Sequence, residues 1–197
     1  MYKRQVLASA VSAFGFARLR WRGREFFFMI LMVSTMLPFA VVMAPQYLLF
    51  KKLGWIGTFA PLWAPAWCGS AFSVFLLRQF FRAIPRELDE AAMIDGCSTF
   101  GVFRRVILPI SRPALAVVAI LHAIYVWGDF VAPLVFINHA EMYTAALGLQ
   151  AFQSQHGATP WSQLMAASIV VLVPVLVLFL IAKRWVVEGI ASQGIKA

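Results

Sequence analysis

One polar segment of the sequence carries acids, alanines and a glycine at spacings that suit docking more than catalysis. It contains the run Glu90-Ala91-Ala92-Met93-Ile94-Asp95-Gly96, and Leu108-Pro109 follows after eleven residues. On a helix, Leu88, Ala91, Ala92 and Asp95 share a face because they are three or four residues apart. The two alanines leave room for another surface to approach closely. The pattern suits a docking helix, but from the residues alone the favoured interpretation is a solvated loop helix resting on lipid headgroups.

Two ionisable residues lie in apolar surroundings. At about 1.5 Å of rise per residue, His122 lies roughly 14 Å beyond Pro113. It therefore lies near the middle of a predicted membrane span, and Asp129 lies nearer the outer end. Ionisable groups at such depth are candidates for function. The alternatives are a neutral packing histidine and an aspartate that caps a resumed helical turn after Gly128.

Aromatic residues accompany these two ionisable groups. Tyr125 and Trp127 could stack on the face of a sugar ring, and Phe130 follows Asp129 directly. The alternative for the aromatic residues is packing in the core or in the membrane-interface belt. We predict a substrate pathway lined by His122, Tyr125, Trp127, Asp129 and Phe130.

The composition is that of an integral membrane protein. Hydrophobic residues make up 62% and charged residues 13% of the chain, against roughly 45–50% and 25% in soluble domains. The net charge of +9 comes from clusters beside apolar segments, a pattern that marks the cytoplasmic side and argues against nucleic-acid binding. Only Lys51 and Lys52 depart from this pattern. No metal site or disulfide is predicted, because the histidines and the two cysteines are dispersed.

We expect an all-α bundle with four full membrane spans, each needing about 20 apolar residues. The predicted spans are residues 26–50, 58–81, 113–137 and 162–182, and the polar segment occupies residues 82–112 as a cytosolic loop. Prolines should kink or unwind the first span at Pro38 and Pro45. Arg78, near the inner end of the second span, can extend its charged end to the interface. Residues 6–17 are too short to span and indicate the end of an incomplete helix; the alternative is a secretory signal.

Local signals predict helix, turn and helix within residues 82–112. Pro85 can open a helix whose first turns carry Glu87, Asp89 and Glu90, which suit the positive end of the helix dipole. Gly96 can end it in the left-handed conformation. Ser98 or Thr99 can cap the next short helix, and Ser111 can cap the third span.

The same residues resemble the EAA loop of bacterial ABC importer permeases. The run from Glu90 to Gly96 matches it, and so do Phe103, Ile107, Leu108, Pro109 and Pro113. Other stretches narrow the resemblance to carbohydrate importers of the maltose-transporter type: Phe16–Arg20, Leu76–Phe81, Ile84–Leu88, Trp127–Phe130, Leu147–Gln150, Leu164–Ser168 and Val187–Ile190. The family commonly has Asn where this chain has Gly128. Six spans are usual, so we expect a single permease domain over residues 1–197 that is incomplete at its N-terminus.

The resemblance implies a multi-pass subunit of the bacterial inner membrane with a cytoplasmic C-terminus. Its partners would be a second permease, two cytosolic ATPase subunits and an extracytoplasmic solute-binding protein. It implies coupling to the ATPase through Glu90, Ala91, Ala92, Asp95, Gly96, Leu108 and Pro109. The tail from Ala191 to Ala197 would reach toward the ATPase, or be disordered. We predict no catalytic residue and no cofactor, because the chain has no Gly-rich phosphate loop of its own.

Three alternative functions place different requirements on the residues. An aspartyl-type membrane hydrolase needs two carboxylates that share a proton, and Asp129 is the only acid inside a predicted span. An ion-coupled secondary transporter is compatible with broken helices, but it leaves residues 82–112 without a role. Within the ABC class, the alternative is an importer of a non-sugar solute such as a polyol or a glycerol phosphodiester.

Overall fold

The computed structural model describes residues 2–153 and 159–191, with side chains for residues 4–150, 152–153 and 159–181. The described residues form helices and turns and contain no strand, which confirms the all-α prediction. The described C-terminal tail stops at Ala191, so the role predicted for residues beyond it lies outside the described part of the chain. The contacts of the chain group into two compact units, and each unit is described by itself.

The first unit contains residues 1–38, 67–119 and 184–197. In chain order, its described helices are α1 Tyr2–Ala17, α2 Arg24–Ser34, α5 Ala71–Ala83, α6 Glu87–Ile94, α7 Thr99–Val102, α8 Leu108–Ile110 and the start of α9 Arg112–Trp127. A π-helical turn over Phe103–Ile107 joins α7 to α8. The main contact of this unit is between α1 and α5.

The second unit contains residues 39–66 and 120–183. It holds α3 Phe39–Lys52, α4 Ala60–Trp63, most of α9, α10 Val131–Phe136, α11 Ala145–Gly148 and most of α12 Trp161–Ala191. Short 3₁₀ turns run over Pro65–Cys68, Ala140–Met142 and Leu149–Phe152. Its buried centre includes Phe50 and Phe136, whose ring centroids are 5.3 Å apart.

Two helical stretches are long and apolar enough to cross a membrane, Ala60–Ala83 and Trp161–Ile181, and up to four if two broken helix pairs each count as one span. This finding covers the described residues and rests on length and composition. The four predicted spans therefore stay a prediction, and so does the single permease domain. α12 runs beyond the predicted end at residue 182, to Ala191, and no proline interrupts residues 182–191.

The helix bounds differ from the first three predicted spans at specific breaks. α2 ends at Ser34 and α3 begins at Phe39, so the first predicted span is interrupted just before and at Pro38, where a following proline disfavours helical geometry. The helix continues through Pro45, so the chain does not unwind there. The second predicted span is interrupted between α4 and α5. The third ends at Trp127 and resumes at Val131.

A close backbone contact holds α1 against the start of α5. Gly69 has φ +82°, and a Cβ atom built on it would lie 3.0 Å from the Ser9 hydroxyl and 3.2 Å from the Ser9 nitrogen. The Ser9 hydroxyl accepts a hydrogen bond from the Ser70 amide at 3.2 Å. Beyond this contact, Ala10, Ala13 and other small residues of α1 are fully buried. A glycine is required at position 69 by both its conformation and the space available.

Arg78 is buried, and the prediction that it reaches the membrane interface is wrong. Only 5% of the residue is exposed. One terminal guanidinium nitrogen lies 2.7 Å from both carboxylate oxygens of Glu25, and Nε donates to the Phe16 carbonyl at 3.2 Å. The guanidinium carbon lies 3.8 Å from the centre of the Phe28 ring. These partners join α5 to α2 and to the end of α1, so Arg78 is a structural anchor.

Candidate functional site

The first helix of the predicted coupling loop, residues 82–112, ends in a complete Schellman arrangement. Gly96 has φ +84°, its amide donates to the Met93 carbonyl at 3.0 Å, and the Cys97 amide donates to the Ala92 carbonyl at 2.9 Å. These are the two backbone bonds that define this type of helix end. The left-handed conformation predicted for Gly96 is therefore confirmed, and it fixes the direction in which the chain leaves α6.

The second helix of the coupling loop begins at a serine cap. The Ser98 hydroxyl accepts a hydrogen bond from the Gly101 amide at 3.1 Å, which satisfies one of the free amide donors at the start of α7. Of the two caps considered, Ser98 is the one observed. The predicted cap at Ser111 is not, because the Ser111 hydroxyl is buried without a hydrogen-bond partner among the described residues.

The π-helical turn next to Leu108-Pro109 has a local cause. Pro109 lacks an amide hydrogen, and its ring would crowd the carbonyl four residues earlier in an ordinary α-helix. The Leu108 amide instead bonds to the Phe103 carbonyl, five residues back. Such π-helical turns occur where the regular backbone hydrogen-bond pattern of an α-helix is interrupted. At Ser111 the chain then bends by 76° into α9.

The core of the first unit includes the inner side of this helical stretch. Val102, Phe103 and Ile107 are buried together with residues of α1 and α5, and Leu108 packs against the same cluster. The rings of Phe14 and Phe103 have centroids 4.9 Å apart. The coupling loop is thus attached to α1 and α5 through apolar side chains that burial stabilises.

One arginine joins the first helix of the loop to the end of α1. The Arg18 guanidinium donates to the Ile84 carbonyl at 2.7 Å and lies 3.3 Å from Oδ2 of Asp89. The side chains of Arg18 and Asp89 are only 5% and 14% exposed. Arg18 Nε and Asp89 Oδ1 have no hydrogen-bond partner in the described structure.

Burial dominates the electrostatics of this pair. Loss of hydration raises the pKa of Asp89 from its ordinary value, and the attraction of Arg18 offsets this only in part. Burial likewise lowers the pKa of Arg18, although Asp89 favours its charged form. The sequence did not predict that Arg18 and Asp89 form a pair, because residues about 70 positions apart give no local spacing signal. The arrangement can hold α6 in one position.

The outward side of α6 is the part open to a partner. Glu90, Ala91, Asp95 and Gly96 are exposed, whereas Ala92 is half-buried against the core. The face predicted from spacing is therefore divided, since Ala92 packs against the unit whereas Leu88, Ala91 and Asp95 are exposed. Pro109 is also exposed.

Two exposed apolar residues extend this surface. Ile94 is 86% exposed and Phe100 is 66% exposed. Sequence reasoning did not select them, although a large apolar residue inside a polar loop is the signal that could have identified both. Together with Glu90 and Ala91 they form the predicted coupling surface, which is acidic and apolar.

The residues predicted to line a substrate pathway lie in the second unit. His122 and Tyr125 are on α9, where His122 is half-buried and Tyr125 is 72% exposed. The Trp127 indole donates a hydrogen bond to the Val171 carbonyl of α12 at 3.0 Å, so one edge of its ring is already occupied by a helix contact. Tyr125 is the more available of the two aromatic residues.

Asp129 caps α10. Its Oδ1 accepts a hydrogen bond from the Ala132 amide at 3.3 Å, as the local alternative predicted. Phe130 precedes the helix and is half-buried. Pro133 is tolerated in the first turn because amides there have no partner within the helix. Within the described ranges, no three His, Cys, Asp or Glu side chains are placed to hold a metal ion.

Comparisons with known proteins agree on one family. The family model described as "Binding-protein-dependent transport system inner membrane component" matches residues 5–191. The arabinooligosaccharides transport system permease protein AraQ of Halalkalibacterium halodurans is 33% identical over 97% of this chain and 68% of its own length. The sn-glycerol-3-phosphate transport system permease protein UgpE of Brucella abortus is 36% identical over 95% of this chain and 67% of its own.

A further relative supports the same assignment, and a solved structure supports the fold. The trehalose/maltose transport system permease protein MalG of Thermococcus litoralis is 32% identical over 97% of this chain and 69% of its own. The chain thus spans about two thirds of the length of these relatives. A chain from the crystal structure of a bacterial ABC transporter that imports the acidic polysaccharide alginate superposes with a TM-score of 0.76 at 21% identity, covering 93% of this chain and 70% of that one. This last likeness concerns the fold.

Proposed function

Because the chain belongs to the family of binding-protein-dependent transport system inner membrane components, we propose that it is the permease subunit of an ATP-driven importer of sugars or oligosaccharides. Membership makes it a transport subunit of the inner membrane. In this proposal, ATP is hydrolysed by a separate subunit. The remaining parts of the proposed machine are a second permease, two cytosolic ATPase subunits and an extracytoplasmic solute-binding protein. The coupling loop and the C-terminus would both face the cytoplasm.

The observation that carries the coupling role is an anchored helix with an unpartnered outer surface. Arg18 and the buried residues Val102, Phe103 and Ile107 hold the coupling loop against α1 and α5. The coupling surface of Glu90, Ala91, Ile94 and Phe100 faces away from that core. A partner that pulls on this surface therefore moves α1 and α5 as well, because packed interiors transmit displacement rather than absorbing it.

In the mechanism that follows, the ATPase subunits close on ATP and displace α6. Alanine at position 91 permits close approach, Glu90 supplies a charge for a basic group of the partner, and Ile94 supplies apolar area. Ala92, Asp95, Gly96, Leu108 and Pro109 contribute by shaping the loop. The displacement reaches the spans through α5 and through the bend at Ser111, and the spans expose the pathway alternately to each side.

Sugar transport is favoured by the names of two relatives, which are permease proteins for arabinooligosaccharides and for trehalose and maltose. The exposed ring of Tyr125 suits stacking on a sugar face. The second candidate is a glycerol phosphate or a related non-sugar solute, because an sn-glycerol-3-phosphate permease protein is equally similar. An ion-coupled secondary transporter is disfavoured by the family assignment.

Docking can be tested by co-purification of the full chain with its cognate ATPase subunit. Replacing Glu90 with Ala or Ile94 with Ser should reduce recovery of the ATPase about tenfold, the effect of about 1.4 kcal/mol at an interface. Glu141→Ala removes another exposed acid, from the second unit, and should leave recovery unchanged. Undiminished recovery with both coupling-surface variants contradicts the docking role.

The solute and the energy source need a separate uptake experiment. Cells carrying the complete transport system should take up labelled maltose or an arabinooligosaccharide, and depletion of ATP should stop uptake while an ionophore should not. Tyr125→Ala should lower sugar uptake, with Tyr143→Ala as a control outside the predicted pathway. Uptake of sn-glycerol 3-phosphate instead of sugars supports the second candidate, and sensitivity to the ionophore alone supports a secondary transporter.

A further inference from the structure

A basic cleft lies between the end of α1 and the start of α2 in the first unit. Its volume is about 450 Å³, and it is largely open to solvent. Three arginines, one acid and two aromatic residues line most of it: Arg20, Arg24, Arg86, Glu25, Trp21 and Phe26. A volume of this size accommodates a small ligand or a lipid headgroup.

Two of the three arginines are available to a ligand. Arg24 already contacts the Leu19 carbonyl and Glu25, and Glu25 is also bound by Arg78. The acid in the cleft is therefore neutralised by its own neighbours. The side chains of Arg20 and Arg86 are exposed, and neither makes a hydrogen bond or a close ion pair with another described residue. Arg86 attracts Asp89 only from beyond ion-pair distance, and Asp89 is already paired with Arg18. The two guanidinium groups are therefore open to a ligand, and they suit a phosphate group.

Contacts within the protein hold Trp21, one of the residues that line the cleft, in place. The Trp21 indole donates to the Gly15 carbonyl at 3.2 Å. The Trp21 ring lies against those of Phe16 and Phe27, with centroids 5.7 Å apart in both cases. This aromatic contact fixes the short connection that carries Arg20 between α1 and α2.

The apolar side of the cleft continues along α2. Phe26 is 57% exposed, and it is followed on the same helix by further exposed apolar residues: Phe27, Met29, Ile30 and Val33. α2 forms part of a candidate membrane span. A ligand that places a phosphate among the arginines can therefore lay a hydrocarbon chain along α2, which a soluble phosphate or a polar protein segment cannot do.

We propose that this cleft binds the phosphodiester headgroup of an anionic phospholipid. Arg20 and Arg86 bind the phosphate, and the acyl chains lie along the exposed face of α2. This lipid contact is separate from the sugar pathway and from docking of the ATPase. It fixes the end of α1 and the adjoining start of the coupling loop at the membrane surface, because Arg86 immediately precedes α6. The site discriminates by charge, so a zwitterionic lipid binds weakly.

Native mass spectrometry of the purified full chain tests this site with dioleoyl phosphatidylglycerol and dioleoyl phosphatidylcholine as probes. Each arginine near an anionic lipid surface contributes roughly a fivefold gain in binding, so Arg20→Gln with Arg86→Gln should weaken phosphatidylglycerol binding about 25-fold. The matched control is Arg82→Gln with Arg112→Gln, which removes the same charge from exposed positions outside the cleft. This control should change binding no more than about twofold, and phosphatidylcholine binding should be unaffected.

Three results overturn the proposal. Equal losses in the two double variants indicate a general effect of net charge. Full displacement of the lipid by millimolar inorganic phosphate indicates a site for a free anion. A loss of ATPase recovery with unchanged lipid binding indicates a protein contact. If the double variant does not fold, as judged by gel filtration, Arg20→Gln alone decides the question through an expected fivefold loss against Arg82→Gln.

Discussion

Replacing Asp89 with Ala should loosen α6, whereas replacing its neighbour Glu90 with Ala should not. Both changes remove a carboxylate from the first turn of the same helix, so the loss of the favourable interaction with the helix dipole is shared. They differ in one contact, since Asp89 lies 3.3 Å from Arg18, whereas the Glu90 side chain is exposed and makes no hydrogen bond or ion pair within the described structure. The difference between the variants therefore isolates the Arg18–Asp89 pair.

The magnitude follows from the distance and the burial. At 3.3 Å and an effective dielectric constant of about 20, the gross attraction is about 5 kcal/mol. At Asp89 the cost of burial exceeds this attraction, as the raised pKa indicates, so the effect of the substitution comes from Arg18, which is left buried without a counter-charge. A charged group that loses its partner costs about 1.5–3 kcal/mol. We take about 2 kcal/mol for Asp89→Ala, a factor of about 30 in local opening, and less than about 0.5 kcal/mol for Glu90→Ala.

Amide hydrogen exchange of residues 87–96 in the detergent-solubilised full chain measures this opening. Exchange should rise about 30-fold in Asp89→Ala and stay near the original rate in Glu90→Ala. In a chain that already carries Arg18→Ala, the further change of Asp89 should have little effect, because the pair is absent. Equal exchange in the two single variants, or an undiminished effect of Asp89→Ala without Arg18, refutes the anchoring role.

Other changes should separate backbone from packing effects. Gly96→Ala should lower the stability of α6 by about 1–2 kcal/mol through its left-handed conformation alone, since a Cβ there contacts nothing, while Gly148→Ala, at φ −62°, should be neutral or stabilising in the same exchange measurement. Gly69→Ala should cost more, in thermal unfolding, because strain and contact with Ser9 add. Trp127→Phe should cost about 1 kcal/mol in thermal unfolding through loss of the Val171 bond, and an unchanged midpoint contradicts this. The pKa of Asp89 is raised in the folded state, so its contribution to the free energy of unfolding is full below the unfolded pKa and is lost as the pH rises through the folded pKa. Thermal stability between pH 4 and 7 should therefore fall with pH less steeply in Asp89→Ala than in the original protein.

The local features of the coupling loop were predictable because neighbours in sequence determine them. Acids beyond Pro85, the glycine at position 96 and the serine at position 98 each act on amides or carbonyls within a few residues. The interruption of the third span also had a local signal in Gly128 and Asp129, although we predicted an unbroken segment and offered the cap only as an alternative. The family assignment rested on the same short runs of residues.

The anchors of the site were not predictable in this way. Arg18 meets Asp89 and Arg78 meets Glu25 across 71 and 53 positions, and Trp127 meets Val171 across 44. An arginine at the end of an apolar segment gives the same sequence pattern whether it extends to water or is buried, so Arg78 was misassigned. Which residues of α6 face outward was likewise decided by tertiary contacts, because Ala92 packs against the core and Asp89 pairs with Arg18.

By itself, the sequence determined an all-α membrane protein with a helix, turn and helix in its polar loop, because apolar length, helix caps and left-handed glycines act over a few residues. Only the tertiary structure decided which charges are buried, which arginines remain open to a ligand and which side of α6 faces a partner. Those outcomes depend on the balance between loss of hydration and contacts made by segments distant in the chain, and no local pattern of residues encodes that balance.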